Sequence, residues 1–205
     1  MVKLTIIVPV YNQEDLIIRA LNSIPQRKDI EILIINDGST DNTLNLCNKW
    51  VEDKENARII SYKENKGLGY AKNIGYDNAK GEYINELDSD DYLYTSEYEK
   101  VINELDGTDI VFMNLKQNNG VILDFNTTSK INLGSGCARF IKKEFLGDLR
   151  CPEIRFAEDW YLSNEMNKKN PTEKYTHIVG YHYNFPRTGS LCDEAYKELV
   201  RKGEI

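Results

Sequence analysis

Two hydrophobic patterns alternate through the first half of the chain, and this alternation limits its fold more than any other feature. Continuous runs of Ile, Leu and Val have the length of strands that are buried on both faces. These runs cover residues 4–10 and 30–37, and residues 57–62 and 82–87 predict two further strands. Amphipathic stretches of helical length separate them, and Asn12 is the expected N-cap of the first helix. This order predicts an α/β fold with an open, mostly parallel sheet and helices on both faces.

The second half of the chain is less regular. Residues 108–116 and 120–126 predict two strands joined by the Asn-rich turn QNNG. Further elements are predicted as helices at 137–147, 158–170 and 193–203 and as a strand at 175–185. We find no repeat and no linker, so the 205 residues predict one domain with a parallel N-terminal half and a mixed C-terminal half.

Composition argues against some partners and compartments. The chain has 33 acidic and 26 basic residues and a net charge of −7, which argues against a nucleic-acid-binding surface. Cys47, Cys137, Cys151 and Cys192 are widely spaced and are expected to be reduced thiols. No segment approaches the roughly 20 apolar residues of a membrane span, and the N-terminal run lacks a signal-peptide cleavage pattern. These observations predict a cytoplasmic protein.

Segments rich in polar and acidic residues lie at the ends of three predicted strands. They read PVYNQED at the first strand, NDGSTDN at the second and LDSDD at the fourth. In open α/β sheets, ligands bind beyond the carboxyl ends of the strands. Carboxylates that collect at such an edge differ from an ordinary acidic surface turn. This edge is therefore the predicted ligand site.

Two familiar ligand loops do not fit these segments. The first β–α turn has no glycine, so the dinucleotide-binding fingerprint fails. Tyr92 and Leu93 occupy positions of a possible calcium loop where a ligand and a glycine are needed. Mg²⁺ or Mn²⁺, in contrast, needs only one or two carboxylates plus substrate phosphates. Asp88 and Asp90, two positions apart, suit such an ion and a neighbouring sugar hydroxyl, which favours a nucleotide diphosphate ligand.

Several motifs together resemble the family-two glycosyltransferases, which have the GT-A nucleotide-sugar fold. The similar segments are IIVPVYNQEDLIIRALNSI, EILIINDGSTDNT, NKGLGYAKNIGYDNAKGEYINELDSDDYL, GCARFIKKEFL and RFAEDWYLS. They occur in the family's order over roughly residues 3–165. No single segment is specific, but their combination is. The resemblance implies a Rossmann-like, mostly parallel central sheet flanked by helices, with nucleotide-sugar binding in residues 1–107 and a mixed acceptor-side region in residues 108–205.

The resemblance implies a nucleobase pocket at the ends of the first two strands. Pro9, Tyr11 and Glu14 match positions that line this pocket in the family, and Tyr11 offers a stacking face. Asp37 matches the aspartate that accepts a hydrogen bond from the base, typically from N3 of uracil. Asn36 stands where many relatives carry a further aspartate.

The resemblance also implies roles for the acidic turn. Asp88-Ser89-Asp90 matches the family's Asp-X-Asp motif, so Asp88 and Ser89 are expected at the donor's ribose or sugar and Asp90 on Mn²⁺ or Mg²⁺. Lys72 stands where the family has an arginine at the donor, and lysine keeps the charge without the two-pronged geometry. Asp91 is expected to be structural and to cap the following segment.

A second acidic pair, Glu158-Asp159, opens a predicted helix, where carboxylates are common because of the helix dipole alone. Matched to the family's Glu-Asp motif, Asp159 becomes the general base for the acceptor hydroxyl. A single displacement then inverts the anomeric centre without a covalent intermediate. Near the C-terminus, Pro186 stands where many members have a histidine. His182 and Arg187 are the remaining candidates there for metal or diphosphate contacts.

The sequence thus predicts an inverting, metal-dependent glycosyltransferase with a nucleotide-sugar donor, UDP being the expected nucleotide. The expected acceptor is a hydroxyl of a glycan or lipid-linked saccharide, at the cytoplasmic face of a membrane. The sequence predicts no particular sugar or oligomeric state. Two alternatives stay open: a nucleotidyltransferase, disfavoured by the glycine-free first turn, and a non-catalytic module that binds sugar nucleotides or glycans, disfavoured by the two intact acidic motifs.

Overall fold

The computed structural model describes residues 1–125, 135–154, 157–186, 188 and 201. Within these residues the chain forms nine β-strands and six α-helices. The strands are β1 Leu4–Val10, β2 Ile30–Asp37, β3 Ala57–Tyr62, β4 Tyr83–Glu86, β5 Tyr92–Leu93, β6 Ile110–Gln117, β7 Ile122–Leu123, β8 Arg139–Lys142 and β9 Glu173–Tyr183. The helices are α1 Ile17–Asn22, α2 Thr43–Val51, α3 Leu68–Asn78, α4 Thr95–Asn103, α5 Lys143–Leu146 and α6 Glu158–Asn167. None of these helices is both long and apolar enough to cross a membrane.

The described strands form one sheet in the order β3-β2-β1-β4-β8-β6-β9-β5, with β7 paired to β6. The four strands of the N-terminal half are mutually parallel, as predicted from their alternation with helices. Beyond β4 the sheet is mixed, because β8 is antiparallel to both of its neighbours while β6 and β9 run parallel. The predicted α/β fold class is confirmed. The division into halves at residue 107 stays a prediction.

Strand polarity brings the three predicted polar segments to one edge of the sheet. Strand β1 lies between β2 and β4, and all three run in the same direction. In register, Val10 pairs with Asn36 and Ile7 pairs with Glu86. The carboxyl ends of the three strands therefore lie side by side, as expected for a ligand site in an open α/β sheet.

The helix predicted at 137–147 is largely wrong. The chain instead forms a 3₁₀ turn at Gly136–Ala138, then β8, then the short helix α5. The Asn85 side chain donates hydrogen bonds to the carbonyls of Cys137 (3.0 Å) and Arg139 (2.7 Å). Residues 139–141 are all buried between β4 and β6. Pairing with these two strands outweighs the helical spacing of the apolar residues.

Other boundaries differ less. Asn12 is not the N-cap of the first helix, because that helix begins only at Ile17 and Leu16 precedes it. Asn12 has a φ of 49°, and its side-chain oxygen accepts a bond from the Thr40 backbone N–H. The predicted hairpin (β6 with β7), the strand β9 and the helix α6 are all present. The final helix predicted at 193–203 lies outside the described residues except for Arg201.

Helix α3 packs closely against β1 through Gly75. A Cβ atom at Gly75 would lie 2.5 Å from Cγ2 of Ile7, a fully buried side chain. We expect Gly75→Ala to lower the free energy of unfolding by about 1–3 kcal/mol, because overpacking outweighs the higher helix propensity of alanine. Urea denaturation measures this loss. The penalty should shrink in an Ile7→Ala background, and an equal penalty there would contradict the proposed contact.

Candidate active site

Hydrogen bonds join the loops that follow β1 and β2. Besides the Asn12–Thr40 contact, the backbone N–H of Asn12 donates to Oγ of Ser39 (3.0 Å). The Glu14 carboxylate accepts a bond from the Asn42 backbone N–H (2.9 Å). Tyr11, at the tip of the first loop, is 43% exposed, while Pro9 is buried inside β1. The two loops thus form one hydrogen-bonded wall that exposes the Tyr11 ring, which can stack on a base.

Asp37 ends β2 as a buried carboxylate. Its two oxygens accept backbone N–H bonds from Lys66 (2.7 Å) and Gly67 (2.9 Å), at the N-terminus of α3. A carboxylate at this end of a helix is stabilised by the unpaired N–H groups and the helix dipole. Asp37 therefore joins the start of α3 to the edge of the sheet. Its predicted contact with a nucleobase stays a prediction.

The acidic turn 88–91 begins two residues beyond the end of β4. Asp88 and Asp90 are half-buried, and Ser89 and Asp91 are buried. Burial raises the pKa of the Asp88 carboxyl well above its usual range, and the nearby Asp91 and Asp90 add to this although Lys72 opposes it. The turn therefore concentrates more negative charge than this environment favours. A cation bound there would relieve this charge.

Asp91 is structural, as predicted, but not as a helix cap. Its carboxylate accepts bonds from the Tyr181 hydroxyl (2.6 Å) and the Asn184 backbone N–H (2.7 Å). The same Tyr181 oxygen accepts the backbone N–H of Asp88 (3.1 Å). Helix α4 begins only at Thr95. Asp91 thus ties the acidic turn to β9.

His182 is a packed residue on β9. Its ring stacks on Tyr92 at 4.2 Å between centroids, and its nitrogens lie 2.9 Å from the Tyr94 hydroxyl and 2.9 Å from the Asn118 side-chain oxygen. The guanidinium of Arg19 lies over the Tyr92 ring, 5.1 Å from its centroid, and donates to the backbone carbonyl of Asp90 (2.5 Å). Both ring nitrogens of His182 are therefore engaged. Arg187 lies outside the described residues.

Lys72 connects the two acidic motifs. It projects from α3, is 1% exposed, and its ammonium group ion-pairs with three carboxylates. The distances from Nζ are 2.6 Å to Asp159, 3.0 Å to Glu158 and 3.0 Å to Glu86. Burial lowers the pKa of Lys72, but these carboxylates raise it by more, so Lys72 stays charged. We name the four residues Lys72, Glu86, Glu158 and Asp159 the ion cluster.

Both carboxylate oxygens of Asp159 are held. Oδ1 faces Lys72, and Oδ2 accepts the Gly136 backbone N–H at 3.2 Å. A Cβ atom at Gly136 would lie 2.8 Å from Asp159 Oδ1 and 2.5 Å from Glu86 Oε2, so a side chain here would displace these carboxylates. Burial raises the pKa of Asp159, but Lys72, Arg139 and the Gly136 N–H lower it by more. Asp159 is therefore ionised and fixed in direction.

Sequence reasoning missed three members of this environment. Glu86 is a buried carboxylate at the end of an apolar strand, a local signal that was readable but was overshadowed by the acidic turn beside it. Arg139 lies in the segment predicted as a helix and Gly136 directly precedes it, so their approach to Asp159 had no local signal. Arg139 donates to the hydroxyl of Ser163, which in turn donates to the Asp159 carbonyl (2.5 Å). Through the Ser163 hydroxyl, Arg139 thus helps to hold the first turn of α6 in place.

The acidic turn fits a divalent metal only as part of a shared site. Among the described residues, no group of three or more His, Cys, Asp or Glu side chains is arranged to hold a metal ion. Mg²⁺ and Mn²⁺ need few protein ligands when substrate phosphates supply the rest. The crowded carboxylates of Asp88 and Asp90 have the chemistry of such a partial donor set. The predicted metal role of Asp90 stays a prediction.

A parallel Rossmann-like half joined to a mixed half, with acidic residues at the shared edge, defines a fold of the GT-A type. The model of the family described as "Glycosyl transferase family 2" matches residues 5–175. The chain therefore belongs to glycosyltransferase family 2.

Relatives and solved structures agree with this assignment. WfaP of Escherichia coli, a UDP-Glc:alpha-D-GlcNAc-diphosphoundecaprenol beta-1,3-glucosyltransferase, is 31% identical over 98% of this chain and 84% of its own. The minor teichoic acid biosynthesis protein GgaB of Bacillus subtilis is 28% identical over 94% of this chain, which spans only 24% of GgaB. The crystal structure of S. aureus TarS 1–349 with UDP-GlcNAc aligns with a TM-score of 0.79 at 24% identity, covering 98% of this chain and 65% of that one. This last likeness shows the fold.

Proposed function

We propose that the protein transfers a sugar, with inversion, from a nucleotide diphosphate donor to a hydroxyl of a glycan or lipid-linked saccharide. The observation that carries the proposal is the ion cluster. Through Lys72 it joins Asp159, the proposed base, to Glu86, which lies two residues before the acidic turn. The two acidic motifs, far apart in sequence, thus meet at the sheet edge where an α/β fold binds ligands.

In this proposal the first two strand ends bind the nucleotide. Tyr11 stacks on the base beside Pro9 and Glu14, and Asp37 accepts a hydrogen bond from it. UDP is the proposed nucleotide because the relative WfaP is named as a UDP-Glc enzyme and TarS was solved with UDP-GlcNAc. Asp88 and Ser89 then face the ribose or the sugar.

Asp159 acts as the general base. Its ionised carboxylate takes the proton from the acceptor hydroxyl as that oxygen attacks the anomeric carbon from the face opposite the nucleotide. The direction of the carboxylate is set before the substrate arrives, because both of its oxygens already have partners. One base and one leaving group on opposite faces suffice for a single inverting displacement.

Asp90, with Asp88 beside it, is the proposed protein contribution to a Mg²⁺ or Mn²⁺ site. When bound, the ion supplies charge neutralisation for the departing diphosphate. A mannosyltransferase from Pyrobaculum calidifontis, solved with GDP-Man and Mn²⁺, shares the fold with a TM-score of 0.71 at 20% identity, over 91% of this chain and 58% of that one. That complex is a precedent for a metal on this fold.

The names of two relatives support the proposed acceptor class. WfaP is named for a diphosphoundecaprenol-linked acceptor, and a relative from Bacillus spizizenii, 36% identical over 95% of this chain and 34% of its own, is named a poly(ribitol-phosphate) beta-glucosyltransferase. An acceptor carried on a lipid would place the protein at the cytoplasmic face of a membrane, and this location is part of the proposal.

A panel of nucleotide sugars tests the function. The true donor should raise the melting temperature in the presence of Mn²⁺, since a ligand of the folded state stabilises it by RT ln(1 + [L]/Kd). The protein should also hydrolyse this donor slowly, which releases the nucleoside diphosphate, and this release should be faster when the acceptor is present. Release of pyrophosphate from UTP would instead indicate a nucleotidyltransferase, and binding without any release of UDP would indicate a non-catalytic module.

A further inference from the structure

The ammonium group of Lys72 is enclosed by carboxylates. It donates hydrogen bonds to Glu158 and Asp159 and forms an ion pair with Glu86. A lysine ammonium carries three N–H donors. Three carboxylates, from Glu86, Glu158 and Asp159, lie within 3.0 Å of Nζ, and the residue is 1% exposed. A nucleotide diphosphate could reach this nitrogen only by displacing one of these carboxylates. This geometry differs from the donor contact that the family resemblance implies for this position.

We propose that Lys72 is a positioning residue, which acts through Asp159 by fixing the direction and the ionised state of that carboxylate. The inference rests on the proposed function, because it takes Asp159 as the base. The contact of 2.6 Å is the shortest of the three ion pairs of Lys72. Glu86 and Glu158 hold the ammonium group from two further directions, so it cannot follow Asp159 if that side chain rotates.

Lysine suits this role better than the arginine of the family motif. Three carboxylates from β4 and α6 converge on a single nitrogen, and an ammonium group is a compact point charge with three rotatable donors. The planar fork of a guanidinium matches one carboxylate in two-pronged geometry instead. Arginine should therefore keep the charge of the ion cluster but not its geometry.

The charged groups around Asp159 come from five parts of the fold. They are Lys72 on α3, Glu86 on β4, Asp88 in the turn after β4, Arg139 on β8 and Glu158 on α6. Burial raises the pKa of the Cys137 and Cys151 thiols and of the Tyr76 phenol, so these neighbours stay neutral. Lys72 and Arg139 are therefore the two cations that keep Asp159 ionised. Lys72 is the one in direct contact with it.

The test compares Lys72→Gln, Lys72→Arg and Glu158→Gln with the wild type. In Lys72→Gln the acidic limb of the kcat–pH profile should rise by about 1–3 pH units, because losing the cation raises the pKa of Asp159. Its plateau kcat should fall by about 10- to 100-fold through lost orientation, with an unchanged KM for the donor. Lys72→Arg should keep the limb near the wild-type position without restoring the full kcat. Glu158→Gln removes a like charge and should leave the limb at or below the wild-type position.

A raised donor KM with an unmoved limb in Lys72→Gln would overturn the proposal and assign Lys72 to the donor. A shift of the acidic limb to higher pH in Glu158→Gln would also overturn the proposal. This variant provides the test if Lys72→Gln does not fold. A second readout needs no turnover: the carboxyl ¹³C signal of Asp159, assigned with Asp159→Asn, should titrate at higher pH in Lys72→Gln. If the wild type transfers no sugar, the proposed function fails; if the signal of Asp159 titrates identically in both proteins, the positioning role fails.

Discussion

Asp159→Asn is expected to reduce sugar transfer by about 10²–10⁴-fold while leaving donor binding intact. A general base contributes a factor of this size, and asparagine has no basic oxygen with which to take the acceptor proton. The amide keeps the shape of the carboxylate, but its single oxygen can accept from only one of the two present donors, Lys72 or the Gly136 N–H. The loss should therefore appear in kcat, with little change in the KM for the donor. Steady-state rates of UDP release with acceptor present measure it.

Glu165→Gln is the matched control for this variant. Glu165 lies on the same helix, α6, as an exposed residue that pairs with Lys168 (2.5 Å). The substitution removes one negative charge from an exposed position of the helix, six residues after Asp159, and the activity of this variant should match that of the wild type. Turnover by Asp159→Asn at the wild-type rate would show that another group takes the proton.

Asp90→Asn is expected to reduce metal-dependent transfer by roughly 100-fold or more. A Lewis-acid contribution of several kcal/mol corresponds to a rate loss of this order. The contact in which Arg19 donates to the backbone carbonyl of Asp90 survives the substitution, so the turn keeps this support. A chelator should abolish the activity of the wild type, and added Mn²⁺ should restore it. Asp90→Asn should need a higher Mn²⁺ concentration for half-maximal activity.

Asp53→Asn provides the comparison for Asp90→Asn. Asp53 follows α2 at the opposite edge of the sheet from the acidic turn, and its side chain is 81% exposed. The activity of the Asp53→Asn variant should depend on the Mn²⁺ concentration in the same way as that of the wild type. Full activity of the wild-type protein in excess chelator, or an identical Mn²⁺ dependence in Asp90→Asn, would remove Asp90 from the metal site.

Much of the candidate site could be predicted because its parts have local signals. A carboxylate after a buried strand, such as Asp88, marks the edge of an α/β sheet wherever the rest of the fold lies. An acidic pair at a helix start, such as Glu158 and Asp159, is visible in the sequence, but its function is not, because the helix dipole favours the same residues. The family resemblance, rather than the local pattern, separated these two explanations.

The segment 137–147 shows where local signals fail. Its apolar residues follow a helical period, yet Arg139 lies buried in a strand, since Asn85 binds the carbonyls of that strand and β6 pairs with its other edge. These partners are distant in sequence, and helix propensity is too weak to resist them. The close approach of Gly136 to Asp159 follows from this strand and was equally hidden.

The amino-acid sequence by itself determined the alternation of strands and helices, the parallel half-sheet and the polar strand ends, because each depends on the period of hydrophobic residues within one short segment. Only the tertiary structure decided the partners of Lys72. Its ammonium group meets carboxylates from β4 and α6, and a contact between residues so far apart in sequence depends on how helices pack on the sheet. The tertiary structure thereby places Lys72 beside the proposed base, whereas the family resemblance implies a contact with the donor.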